Sequence, residues 1–365
     1  MRHDLANRCA ALLVALSWPF GALAGQVDTS LGPLRIDPVL AGLTEPWALD
    51  FLPDGTPILT ERDGRLSLLR DGQAQPIDGG PQVWAEGQGG LLDVMIPRDF
   101  AATRRVWLTF AAPVGAGGAT AVGSGRLSDD GRRLEQFATH WQGVEMPGGR
   151  HFGSRLVEGP DGSVYVSTGD RGTGPGGMQA QDPMRPEGKV IRLSADGTPT
   201  PAKPGEVPGL FTLGHRNPQG MALDGHGRPW VVEHGAQGGD ELNLLVEGRN
   251  YGWPVISHGE NYGGGQIGEG TARKGMEQPA TYWVPSIAPS GLLFYSGALF
   301  PEWRGDIFTG SLNSDFISRL DPEAGLAEER IAAPQTGRVR DIVQAPDGSI
   351  WFLSVHDGAI YRLTR

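Results

Sequence analysis

The sequence predicts an all-β protein folded as a single six-bladed β-propeller, on three observations. A turn phrase recurs along the chain, its copies are spaced like blades, and helical periodicity is nearly absent. The phrase reads Leu-Pro-Asp-Gly at 52–55, Gly-Pro-Asp-Gly at 159–162 and Ala-Pro-Asp-Gly at 345–348, and β-rich runs follow at 57–61, 163–167 and 349–353. A degenerate copy, Asp-Gly-His-Gly-Arg-Pro-Trp-Val-Val, occupies 224–232. In such a turn Asp accepts local backbone hydrogen bonds and Gly supplies a positive φ, so the chain reverses between two strands.

Two further copies lack Asp-Gly but keep the strand: Ile-Pro-Arg-Asp-Phe at 96–100 before 106–110, and Phe-Pro-Glu-Trp at 300–303 before 306–309. With Pro53, Pro97, Pro160, Asp224, Pro301 and Pro346 as markers, the intervals are 44, 63, 64, 77 and 45 residues. Blades repeat at roughly 40 to 50 residues, and one alone cannot bury its apolar face. Two intervals fit directly and three carry insertions. Gly and Pro supply 57 and 29 of the 365 residues, too many for long helices. A large β-sandwich would space its strands more evenly.

The N-terminus reads as a signal peptide, residues 1–24, ahead of one domain at 25–365. Arg2 and Arg8 precede an apolar stretch at 10–20, and Ala-Leu-Ala at 22–24 suits the peptidase. The apolar run is too short for a membrane span. Cys9, the single cysteine, falls in this segment, so a periplasmic or secreted mature chain would have no disulfide. The formal net charge is −11, and losing Arg2, Arg8 and Asp4 makes it one unit more negative. An acidic body disfavours nucleic acid, and any anionic ligand must meet a local cationic pocket.

Loops between blades line the channel mouth, so chemistry is sought there. Five segments concentrate unusual polar residues: 86–93 (Glu-Gly-Gln-Gly-Gly-Leu-Leu-Asp), 149–155 (Gly-Arg-His-Phe-Gly-Ser-Arg), 214–220 (Gly-His-Arg-Asn-Pro-Gln-Gly), 233–241 continuing to Asn-Tyr-Gly-Trp at 250–253, and 336–341 (Thr-Gly-Arg-Val-Arg-Asp). A histidine such as His151 suits proton abstraction near neutral pH, although beside Phe152 it equally suits a structural role. Arg338 and Arg340 alternate, so an extended backbone would project both from one face. Arg216 lies between apolar Leu213 and Met221, while Asp93 reads as a structural carboxylate. A Gly-x-Gly-x-x-Gly run at 172–177 has Pro175 and Pro183 where a dinucleotide site needs a helix. No zinc spacing, P-loop or Gly-x-Ser-x-Gly elbow occurs. The outer stretches 115–125, 201–209 and 263–276 read as irregular loops governing access.

In this order the five segments resemble the soluble quinoprotein sugar dehydrogenases, the aldose sugar dehydrogenase branch of the glucose/sorbosone dehydrogenase family, from about Leu43 to the C-terminus. The resemblance implies a six-bladed propeller that binds pyrroloquinoline quinone and Ca2+ and oxidises the anomeric carbon of aldoses to lactones. It implies that His151 is the catalytic base and that Gln88, Arg216, Asn217, Tyr262, Ser311, Leu312, Asn313, Arg338, Val339 and Arg340 meet the cofactor. Arginines converging in an acidic chain suit a ligand with three carboxylates. The carbonyls of Gly235 and Ala236 would hold calcium against the quinone, and Glu241 with the Tyr251 carbonyl a second ion. Asn313 departs from the family, which usually has Lys there. The implied partners are an aldose and a soluble or quinone electron acceptor, with the protein a monomer or weak dimer. A calcium-dependent propeller hydrolase such as a lactonase, which would want several carboxylates around its metal, and a non-catalytic binding module stand as alternatives.

Overall fold

Asp and Gly act in the recurring turns as their chemistry requires. Asp54, Asp161 and Asp347 each accept, through Oδ1, the backbone N–H two residues on, at 2.9, 3.1 and 2.9 Å. Gly55, Gly162 and Gly348 take φ values of 84°, 81° and 85°. Asp224 does the same for His226 and Arg228, at 2.9 and 3.0 Å. In the computed structural model, which describes residues 24–172, 177–297 and 299–365, each of the six marker sites joins the first and second strands of one antiparallel sheet.

The described residues form six such sheets, one per blade. Their innermost strands are Pro46–Phe51, Leu91–Met95, Leu156–Glu158, Pro218–Leu223, Pro289–Phe294 and Val339–Gln344, for blades 1 to 6. Consecutive innermost strands pack together around the ring, and that of blade 6 returns to blade 1. Closure was not anticipated from the turn phrases. The N-terminal strand Gly32–Ala41 pairs with the C-terminal strand Ala359–Thr364 inside blade 6, and Gly25–Thr29 adds an outer fifth strand. Six buried apolar clusters result, one in each interface between neighbouring blades. A single blade leaves such a face bare, so the closed ring is what buries it.

The expectation of an irregular loop at 115–125 is corrected. Gly117–Leu127 is a strand, paired along its length with Arg105–Val114. Its glycines let it lie close to Ala138 and Phe137 of the neighbouring strand, so small residues signal tight packing here, not looseness. The signal peptide assigned to 1–24 lies outside the described residues except at Ala24, as does part of the run at 172–177. After that run comes only a short 3₁₀ turn, Met178–Gln181. No helix among the described residues is long and apolar enough to cross a membrane.

One buried arginine spans the hub beneath the mouth. Arg155 of blade 3 lies 3.1 Å from Asp93 of blade 2 and 2.9 Å from Asp341 of blade 6. It donates to the carbonyls of Gln219 at 2.7 Å and Arg340 at 2.9 Å, and covers the Trp47 ring at 4.3 Å. The floor under the candidate site is thereby held by five blades.

Candidate active site at the hub

Strand direction explains why distant residues meet. The starts of the innermost strands gather at one end of the channel, and because second strands run antiparallel, their ends gather there too. Gln88, His151, Arg216, Asn217 and Arg338 precede innermost strands, while Asp170, Gly235, Ala236, Leu312 and Asn313 follow second strands.

His151 has a left-handed backbone (φ 50°), and its N–H donates to Gln88 Oε1 at 2.7 Å. Its Nδ1 lies 2.6 Å from Asp170 Oδ1, which also accepts from Gly172 N at 2.8 Å; Asp170 Oδ2 accepts from Trp253 Nε1 at 2.7 Å. The close approach needs a glycine: a Cβ on Gly169 would fall 2.0 Å from the His151 carbonyl oxygen. Burial holds the His151 imidazole below the usual histidine range, with the Asp170 bond opposing and Arg216 reinforcing the shift. Burial pushes Asp170 up, yet the bond and charge of His151, with Arg216 and Gly172, leave it below the usual carboxylate range. The pair therefore offers a neutral imidazole, its Nδ1–H held by a carboxylate and its Nε2 lone pair available.

Three guanidinium groups at the mouth have no carboxylate partner, Arg216 in the cavity of the dyad and Arg338 and Arg340 in the one that shares Gln88 with it. Among the described residues no guanidinium nitrogen of Arg216, Arg338 or Arg340 is within 4.0 Å of a carboxylate oxygen, although the backbone N–H groups of Arg216 and Arg338 donate to Glu233 at 2.8 Å and Asp315 at 2.9 Å. Arg216 is buried; its Nη1 reaches the His234 carbonyl at 3.3 Å and its Nη2 the Tyr262 hydroxyl at 3.4 Å, between the Trp253 and Tyr262 rings. Arg338 Nη1 donates to the Leu312 carbonyl at 2.9 Å, and Arg340 Nη1 to Gln219 Oε1 at 2.5 Å. The expected extended backbone is corrected at Arg338, which has φ 50°; the strand begins only at Val339. Both side chains still line one cavity. Loss of solvation, with Arg338 and Arg155 adding repulsion, lowers Arg340 to about 9.

A cavity of about 250 Å³ is lined by Gln88, His234, Leu312, Asn313, Arg338 and Arg340, and one of about 560 Å³ by Gln88, His151, Asp170, Arg216, Trp253 and Tyr262. Gln88 borders both. A third, of about 580 Å³, is reached past His234, Gly235, Ala236, Tyr262 and Asn313. Of the remaining residues in the resemblance, Asn217 is buried and accepts from Gly153 N at 3.2 Å. Ser311 and Val339 are fully buried, and Ser311 Oγ donates to the Ile287 carbonyl at 2.8 Å. These three therefore stand behind the cavity walls as far as their side chains go. Asn313 is exposed and donates to the Ser286 carbonyl at 3.1 Å.

Gly235, Glu241 and Tyr251 border one small cleft with Glu233. Loss of solvation and the Glu233 charge push Glu241 up to about 8, a position a cation would relieve. Asn243 Nδ2 bridges the two carboxylates, at 3.2 Å to Glu233 and 3.0 Å to Glu241. Among the described residues no cluster of three or more His, Cys, Asp or Glu could hold a metal. A calcium site here would rely on main-chain carbonyls beside the carboxylate, an oxygen set that suits a hard cation.

The sequence assigns no role to Asp170 or His234. Asp170 reads locally as a turn residue, and only folding brings it to His151. His234 donates to the Pro289 carbonyl at 2.9 Å; burial, then Arg216 and Arg340, keep it neutral, so it adds no charge to the cradle.

Comparison with known proteins agrees with this architecture. Residues 43–362 match the family model for glucose/sorbosone dehydrogenase. The chain is 39% identical over 351 residues to the aldose sugar dehydrogenase YliI of Escherichia coli (strain K12), covering 92% of this chain and 94% of that one. A solved glucose dehydrogenase matches with a TM-score of 0.85 at 40% identity, covering 90% of this chain and 99% of the other. The PQQ-bound form of an aldose sugar dehydrogenase from Streptomyces coelicolor matches with a TM-score of 0.74 at 26% identity, covering 90% and 97%. The chain belongs to the glucose/sorbosone dehydrogenase family of oxidoreductases.

Proposed function

We propose that the protein is an exported quinoprotein dehydrogenase that oxidises the anomeric carbon of aldose sugars to lactones, with pyrroloquinoline quinone and Ca2+ as cofactors and a soluble or quinone electron acceptor. One observation carries this reading: a neutral His151–Asp170 dyad shares a cavity with the Arg216 guanidinium, and Gln88 borders both that cavity and the one lined by Arg338 and Arg340, all three guanidinium groups lacking a carboxylate partner. Guanidinium groups without an acidic partner, in a chain of net charge −11, suit a small polyanion. The residues fit the quinone: Arg338, Arg340, Asn313 and Arg216 would hold it by charge and hydrogen bonds, and Gln88 would donate its amide N–H because its Oε1 already accepts from His151. Gly235 and Ala236 would hold calcium beside it, and Glu241 with Tyr251 the second ion. When bound, the quinone supplies the hydride acceptor.

The chain's own part is binding and proton handling. An aldose in the cavity with Trp253 and Tyr262 presents its anomeric hydroxyl to His151 Nε2, which takes the proton while Asp170 steadies the imidazolium. The test adds pyrroloquinoline quinone and Ca2+ to apo protein and follows dye reduction with a panel of aldoses. Turnover dependent on quinone, calcium and sugar is expected. Lactone hydrolysis without quinone, or no quinone binding in an absorbance titration, would overturn the proposal. Sequencing the N-terminus of exported protein tests cleavage after Ala24.

A further inference from the structure

We propose that Trp253 is a positioning residue for the oxidation, its indole N–H fixing the Asp170 carboxylate that orients His151 and its ring face steadying Arg216 in the cofactor cradle. This rests on the reaction proposed above only for its effect on turnover.

Trp253 lies in the loop after the third strand of blade 4, remote in sequence from all three residues it serves. Its Nε1–H donates to Asp170 Oδ2 at 2.7 Å, the oxygen left over once Oδ1 holds His151 and Gly172. With donors on both oxygens, the carboxylate cannot rotate away from the imidazole without abandoning a bond. The Arg216 guanidinium lies 5.2 Å from the centre of the same indole. Its hydrogen bonds are long, at 3.3 and 3.4 Å, and no acid holds it, so the aromatic face matters more than usual. An indole combines an in-plane donor, no acceptor to compete, and a broad π face.

The surroundings are built to hold this ring. Trp253 N donates to the Gly214 carbonyl at 2.9 Å, and Gln181 Nε2 donates to the Trp253 carbonyl at 2.7 Å. Gln181 is itself paired with Asn250 by bonds of 2.7 and 3.0 Å. At Gly177 a Cβ would lie 2.5 Å from Asp170 Oδ2 and 2.7 Å from Trp253 Nε1. Gly177 therefore packs against this bond with no room for a side chain.

Two variants separate the two contacts. Trp253→Phe keeps a ring under Arg216 and removes the N–H; Trp253→Leu removes both. In apo protein, the ¹⁵N spectrum of His151 reports its tautomer without quinone or sugar. The Phe variant is expected to lose the single Nδ1–H tautomer and to move the acid limb of kcat/KM to higher pH, because Asp170 has more charge left for the imidazolium while Arg216 and Arg150 oppose it unchanged. Its turnover is expected to fall about ten-fold with quinone affinity preserved within about two-fold. The Leu variant is expected to bind quinone about ten-fold more weakly as well. A wild-type His151 spectrum in the Phe variant overturns the first role, and wild-type quinone affinity in the Leu variant overturns the second. If the wild-type protein oxidises no aldose, the proposed reaction fails while the His151 spectrum still decides whether Trp253 orients the dyad.

Discussion

His151 Nδ1 and Asp170 Oδ1 are 2.6 Å apart, and this bond decides which imidazole nitrogen faces the cavity. An amide at position 170 can present either a donor or an acceptor, so it no longer dictates the tautomer. Asp170→Asn is expected to lower turnover about ten-thousand-fold, as loss of the orienting carboxylate does in histidine-based catalysis. Steady-state dye reduction at saturating quinone measures it, and a loss under ten-fold would mean His151 is not the base.

Arg340 is kept at a cost. It is half-buried, lacks an acidic partner and is lowered to about 9 by lost solvation and by Arg338 and Arg155. Arg340→Met should therefore bind quinone about a hundred-fold more weakly while apo protein melts no lower, and by a few degrees higher if repulsion dominates. Absorbance titration and thermal melts of apo protein check the two halves. A large drop in apo melting temperature would mean Arg340 serves the fold.

At Asn313 a family expectation and the geometry meet. The side chain is exposed on the border between two cavities, anchored through Ser286 O and Ser314. A lysine there reaches the same space and brings charge. Asn313→Lys is expected to tighten quinone binding about ten-fold, and an unchanged titration would remove position 313 from the cofactor's surroundings.

The blades were legible because their signal is local. Pro-Asp-Gly makes its turn from its own residues, and the three full copies, with the degenerate ones at Pro97, Asp224 and Pro301, each fall between a first and a second strand. The pairing of Gly32–Ala41 with Ala359–Thr364 has no local signature, since it joins opposite ends of the chain. The same division runs through the site. Arg216, Arg338 and His151 stand out as unusual residues in Gly-rich loops, whereas Asp170 looks ordinary until folding joins it to Trp253, 83 residues away. Arg338 misled in detail, because a positive φ on a non-glycine residue is a tertiary imposition.

The Asp93–Arg155–Asp341 group gives the stability a predictable pH dependence. One guanidinium serves two buried carboxylates, so they cannot both ionise without repulsion. Burial pushes Asp93 up from 3.8 to about 7, with Arg155 opposing and Asp341 adding to the rise. Folded protein therefore keeps a proton through a window in which the unfolded chain has released it. Raising the pH from 3.8 towards 7 favours the unfolded state, so this group's contribution is present below the window and lost across it. Asp93→Asn keeps an acceptor for Arg155 but has no proton to lose. Its melting temperature relative to wild type should become steadily more favourable from pH 4 to pH 7.5, whatever the offset at the acid end. Parallel difference curves would mean that Asp93 is ionised throughout and that Arg155 neutralises both acids.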